Sequence, residues 1–188
     1  TQRKEMTSKK VLLFDGESQL DDSSLETDEL KKKTLEDAIR HNHLPFLTQL
    51  LKKYPNLLDV ALGESNETFR MHSMPKTNDR AIHYTARIGS LQTMKIVHQA
   101  GADLNTVNSY HETPLSVAAG KKNNLEVVQW LIKNGARVNH INRHRHSPLF
   151  IAASIGTLDV VQCLVKHNAD IFHTNRQGES CVDTAALT

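Results

Sequence analysis

The chain has 188 residues, room for one compact domain or one short repeat array. A hydrophobic fraction of 38% and a net charge of +2 exclude wholesale disorder and a strongly basic nucleic-acid binder. No apolar run approaches the roughly 20 residues that span a bilayer, and the opening TQRKEMTSKKVLLF has no secretory signal pattern, so a soluble protein without a membrane partner is expected.

In chain order, residues 1–34 read as an acidic leader. Lys9–Phe14 (KKVLLF) suits a short strand, and Asp15-Gly16 is a turn signal. Asp15 to Glu29 carries seven acidic residues and no basic ones, followed by Lys31-Lys32-Lys33. Three readings stay open: a solvated leader, the trailing edge of a preceding domain, or a cap packed against the first repeat. Thr34 with Asp37 resembles a capping box and opens a helix at LEDAIRHNHL (35–44), after which Leu47, Leu50 and Leu51 share one helical face.

Sliding the sequence on itself exposes a repeat. RAIHYTARIGSLQTMKIVHQAGADLN (80–105), TPLSVAAGKKNNLEVVQWLIKNGARVN (113–139) and SPLFIAASIGTLDVVQCLVKHNADIF (147–172) align, with anchors Arg80, Thr113 and Ser147 spaced by 33 and 34. Ser180 in GESCVDTAA follows after 33 more, and the extra residue falls in the polar turn Lys121-Lys122-Asn123-Asn124, where an insertion costs little. Upstream, Leu35 aligns with Ile82 across 47 residues instead of 33, which leaves an insertion of about 14 residues within Pro55–Asp79. Its part from Ala61 to Asp79 (ALGESNETFRMHSMPKTND) is polar and reads as a surface insertion or a binding loop.

Local chemistry supports helix pairs. Pro114 and Pro148 open first helices, where a fixed φ suits the helix start, while Ala81 and Cys181 stand in the same place. Ala118-Ala119 and Ala152-Ala153 allow first helices to stack closely, with Thr85-Ala86 a looser version. Leu91, Leu125 and Leu158 begin second helices, and Met94 with Val97, Val128 with Leu131, and Val161 with Leu164 are their apolar partners. Gly101, Gly135 and Asn168 suit the left-handed residue after each second helix. Asn105-x-x-Asn108, Asn139-x-x-Asn142 and Phe172-x-x-Asn175 then form matching loops.

A period of 33 with T-P-L at the helix start, small stacked pairs and an Asn-bearing loop resembles the ankyrin repeat. The resemblance implies an all-α solenoid of stacked helix-turn-helix pairs with hairpin-like finger loops. The repeats fall at about 35–78 with the insertion, 79–107, 108–141 and 142–174, with a partial one at 175–188 and the leader at 1–34. It also implies that His83, fourth in the T-P-L-H motif, makes a structural hydrogen bond within the turn. Partners are expected on the concave face, at finger tips and first-helix ends. Those positions carry Arg87, Ser109, Tyr110, Glu112, Lys121, Arg143, His144, Arg145, His146, Arg176 and Gln177. Arg145 stands where the family usually has Gly.

No phosphate-binding, metalloprotease or nucleophile-elbow motif is present, so no enzyme activity, cofactor or metal is expected. His140, His144 and His146 alternate with Arg143 and Arg145, cations that oppose a metal ion. Cys163 and Cys181 read as small packing residues and suit a reducing compartment, cytoplasmic or nuclear. Trp130 reads as packing between helix layers, with a ligand contact as the alternative. From Asn108 onward eight Lys/Arg face six Asp/Glu, too balanced for a phosphate-tracking surface. The expected function is a monomeric protein-interaction module for a partner with an acidic or phosphorylated segment. The alternative is the targeting arm of a larger multidomain enzyme, in the manner of bacterial effectors acting in a host cell. The absence of Met at position 1 and the cut final repeat suit an excised piece of a longer chain.

Overall fold

The computed structural model describes residues 27–62, 77–155 and 157–185. Among them are nine α-helices and no strand longer than an isolated bridge. They are α1 (Asp28–Arg40), α2 (Leu44–Lys53), α3 (Ala81–Ile88), α4 (Leu91–Gln99), α5 (Pro114–Ala119), α6 (Leu125–Lys133), α7 (Pro148–Ile155), α8 (Leu158–Lys166) and α9 (Cys181–Ala185). Helices α1, α3, α5, α7 and α9 stack on one another as one layer. Helices α2, α4, α6 and α8 stack as a second, and each pair packs across the layers, as the solenoid expectation required.

The helix starts follow from their caps. Thr113 Oγ1 accepts from Ser116 N at 3.3 Å ahead of Pro114, and Ser147 Oγ from Phe150 N at 3.1 Å ahead of Pro148. At Ser180 the cap is reciprocal: its Oγ accepts from Asp183 N, and Asp183 Oδ2 accepts from Ser180 N at 2.7 Å. The Ser180 hydroxyl, which donates to Asp183 Oδ2 at 2.7 Å, and then the Ser180 N–H hold the Asp183 carboxyl below its usual range. Helix ends are set by left-handed residues: Gly101, Gly135 and Asn168 have φ of 109°, 92° and 62°. The residue added in the 121–124 turn is accommodated with Asn123 at φ 60°.

Between the layers lies a continuous core of fully buried Leu35, Ile39, Leu47, Leu50, Ile82, Met94, Leu115, Leu131, Leu149 and Leu164. Each such side chain contributes about 1.5–3 kcal/mol by leaving water. Ala118, Ala119 and Ala152 are fully buried and Ala153 nearly so, and these small side chains let α5 and α7 approach closely. Thr85 takes the same place without stranding its hydroxyl, which donates to Ile82 O at 2.9 Å. Trp130 is half-buried in the second layer, edge-on to His98 of α4 with ring centroids 5.4 Å apart.

Three expectations are corrected. Helix α1 begins at Asp28, capped by Thr27, whose Oγ1 accepts from Leu30 N at 3.2 Å. Asp28 and Glu29 then sit at the positive end of the helix dipole. Thr34 lies inside the helix and its hydroxyl donates to Leu30 O at 2.7 Å, so it is no cap. On α8 the buried residue is Val160, whereas Val161 is only half-buried, because among the described residues no further helix of the second layer covers α8. The insertion stem is apolar where it meets the array: a 3₁₀ helix (Pro55–Asp59) buries Leu57 and Leu58, and Leu62 bridges to Asp79. The strand suggested at Lys9–Phe14 and the centre of the insertion, 63–76, lie outside the described residues.

Candidate partner interface at the finger row

Between α4 and α5, α6 and α7, and α8 and α9 the chain turns through a five-residue finger, built around one asparagine. Asn108, Asn142 and Asn175 are each 6% exposed. Each side-chain Oδ1 accepts two backbone N–H groups at 2.9–3.0 Å: Tyr110 and Glu112, His144 and His146, Gln177 and Glu179. Each backbone N–H donates across the turn to the fifth residue's carbonyl, from Asn108 to Glu112, Asn142 to His146 and Asn175 to Glu179. The fourth residue is left-handed in every case: His111 (φ 62°), Arg145 (φ 62°) and Gly178 (φ 81°), with Asn78 (φ 46°) one period earlier. Arg145 therefore takes a glycine conformation with a bulky cation, and His111 makes the same departure.

The fingers are tied into a row. Ser109 N donates to Thr77 O at 2.8 Å, Arg143 N to Tyr110 O at 3.0 Å, and an Arg176 guanidinium nitrogen to Arg143 O at 2.6 Å. One rung lower, His140 Nε2 meets His111 O at 2.8 Å and His173 Nε2 meets Arg145 O at 2.7 Å. Asn105 and Asn139 each clamp the loop of the following repeat, through Arg137 N and Asp170 N. These cross-finger bonds fix the tips relative to one another, which is the preorganisation that a binding surface needs.

His83 reaches further than the turn. It is fully buried; Nδ1 accepts from Arg80 N at 3.3 Å, so the proton is on Nε2, shared between Thr106 O (3.2 Å) and Glu112 O (3.0 Å) of the next finger. Burial pushes its pKa below the ordinary histidine value, with the Asp79 charge opposing. The imidazole is neutral and structural.

The expected contact residues fall into two groups. Arg87 is held in an ion pair by buried Asp79, at 2.6 and 2.8 Å, and Lys121 Nζ caps α3 through Arg87 O and Ile88 O. Glu112 Oε2 accepts from Asn108 Nδ2 at 3.1 Å, and Arg176 braces Arg143. Their polar groups serve the scaffold. Arg143, His144 and Arg145 are exposed on the middle finger, and neither guanidinium forms an ion pair among the described residues. His144 lies between Tyr110 (6.3 Å) and His146 (5.9 Å), and His146 stacks on Phe150 at 4.4 Å. Burial first, and then the neighbouring His144, hold His146 below the usual histidine range. Ser109 is half-buried and Gln177 exposed at their own tips. The imidazoles of His140, His144 and His146 thus point to three different neighbours rather than to one centre.

Sequence reasoning missed Asp79, His111, His173 and Phe150. The 33–34 spacing contained the signal for the first three, since Asp79 precedes a helix anchor as Glu112 does, and His111 and His173 match Arg145 and His140.

A family model described as ankyrin repeats (3 copies) matches residues 35–142 and 118–188. The chain belongs to the ankyrin-repeat family. No curated protein matches it. Ankyrin repeats are generally protein–protein interaction modules, and no helix among the described residues is long and apolar enough to cross a membrane.

Proposed function

We propose that this ankyrin-repeat chain is a non-enzymatic recruitment module that binds an acidic or phosphorylated segment of another protein, as a monomer, at the middle finger. The observation that carries this reading is the pair of exposed guanidinium groups, Arg143 and Arg145, mounted on a hydrogen-bonded hairpin with no carboxylate of their own. Arginine on a braced loop recognises oxyanions through paired N–H donors and loses little freedom on binding. Tyr110 and His144 add flat rings beside it. Both cysteines are free and buried, and burial raises both thiol pKa values, which suits packing in a reducing compartment such as cytosol or nucleus.

Affinity capture from a eukaryotic lysate tests the reading, comparing the wild-type chain with an Arg143/His144/Arg145/His146→Ala variant of matched unfolding midpoint. A protein retained by the wild type and lost by the variant is the expected result. Capture of the same proteins by both would remove the finger from the interface.

A further inference from the structure

Asp79, Glu112, His146 and Glu179 occupy one repeat position, immediately before each first-helix anchor, at spacings of 33, 34 and 33. The three carboxylates share a task. Asp79 Oδ1 and Glu112 Oε2 accept from Asn108 Nδ2 at 2.8 and 3.1 Å, and Glu179 Oε2 accepts from Asn175 Nδ2 at 2.8 Å. The middle finger has an imidazole at that position, and the His146 ring lies against Phe150. Asn142 uses its Oδ1 as the other two asparagines do, yet its Nδ2 meets no acceptor among the described residues, although the residue is 6% exposed. Its Nδ2 edge keeps access to solvent, whereas the same edge is covered by a carboxylate of the chain in the flanking fingers.

We propose that the partner supplies the missing acceptor: an Asp or Glu carboxylate from its acidic segment accepts from Asn142 Nδ2, standing where Glu112 and Glu179 stand in the flanking fingers. This rests on the reading that the middle finger binds an acidic segment, and it narrows the ligand to a carboxylate. The same position is filled by a carboxylate oxygen in the fingers on both sides, with one amide donor each. A phosphate group, with three oxygens to satisfy, is poorly matched to this single amide donor. Glu112 and Glu179 on the adjoining fingers oppose a further negative charge. Residues 140–146 answer with two arginines, three histidines and no acid.

The test uses the full chain and three fluorescein-labelled peptides carrying six glutamates, six glutamines or three phosphoserines, read by anisotropy. His146→Gln and His146→Glu each place an acceptor beside Asn142 Nδ2 from within the chain, the first without adding charge, whereas His146→Ala leaves the amide open. The expected result is that both filled variants bind the glutamate peptide roughly ten-fold or more weakly than His146→Ala, which sets the level for a finger without the imidazole but with the amide open. That difference is the size of one lost charge-assisted hydrogen bond, roughly ten-fold or more. The filled variants should melt no lower than His146→Ala. In the wild type, the Asn142 side-chain amide resonances should shift on adding the glutamate peptide, a readout that needs no variant.

Undiminished binding by His146→Gln with an unmoved Asn142 amide would overturn the vacant-acceptor proposal and leave the acidic-segment reading standing. Tighter binding of the phosphoserine peptide would overturn the choice of carboxylate. Failure of the wild type to bind either acidic peptide would overturn both the proposal and the reading beneath it.

Discussion

Asn142–His146 and Asn175–Glu179 trace the same five-residue hairpin from different residues. In both, the asparagine Oδ1 gathers two N–H groups, the first N–H reaches the fifth carbonyl, and the fourth residue is left-handed. The last finger is self-sufficient: Gly178 adopts its φ of 81° without a side chain in the way, and Glu179 accepts from Asn175. The middle finger departs from both rules, with Arg145 at φ 62° and His146 in place of a carboxylate, and neither Arg143 nor Arg145 forms an ion pair among the described residues. The shared geometry shows that asparagine and cap set the backbone, leaving the fourth and fifth positions free. The left-handed non-glycine recurs at His111 in the preceding finger, so of the two departures only the missing carboxylate sets the middle finger apart from both its neighbours.

The largest expected effect lies in what the two fingers share. Leu131 on α6 is fully buried in the stacked core, so Leu131→Ala should cost about 2–5 kcal/mol in denaturant unfolding. A loss below about half a kcal/mol would take Leu131 out of the core and the fingers off a common scaffold. Next come the asparagines. Asn142→Ala and Asn175→Ala each strand two N–H groups, for roughly 1–3 kcal/mol apiece. Asn175→Ala should be the costlier, because it also frees Glu179. Equal losses measured by thermal unfolding would mean that the Asn175–Glu179 bond adds nothing.

Period, helix starts at Pro114 and Pro148, and the left-handed Gly101, Gly135 and Asn168 were legible because each answers to a local backbone rule within a few residues. The start of α1 was not: Thr27 caps it inside an acidic run whose composition suggests solvent, and only the helix dipole turns Asp28 and Glu29 into a helix signal. Leu57, Leu58 and Leu62 were hidden by the polar sequence after them, although their own spacing is apolar. The reach of His83 to Thr106 and Glu112 joins residues 23 and 29 apart, and no local pattern reports such a contact. At the finger row the exposed cations could be read directly, but which of them the scaffold uses could not. Arg87 differs from Arg143 only through Asp79, and Arg176 only through a backbone carbonyl one finger away.

A reciprocal exchange sharpens the comparison at the fourth position. Arg145→Gly should relieve the left-handed strain and raise stability by up to about 1 kcal/mol, and Gly178→Arg should lower it by about the same amount. The first should also weaken binding of the glutamate peptide, since it removes a cation from the middle finger. A more stable variant that binds unchanged would make Arg145 a tolerated irregularity.

The smallest effect is the most discriminating. Gln177 sits at the tip of the last finger in the place that His144 takes in the middle one, and only its backbone N–H is engaged, at Asn175 Oδ1. With an exposed side chain, Gln177→Ala should change stability by less than about 0.5 kcal/mol. If binding is centred on the middle finger, the same variant should leave peptide affinity within about two-fold of wild type, while Arg143→Ala lowers it roughly ten-fold, the scale of one lost charge-assisted contact. Equal losses from both would extend the interface across two fingers and dissolve the contrast between them, since a self-satisfied finger would then bind as well as an unsatisfied one.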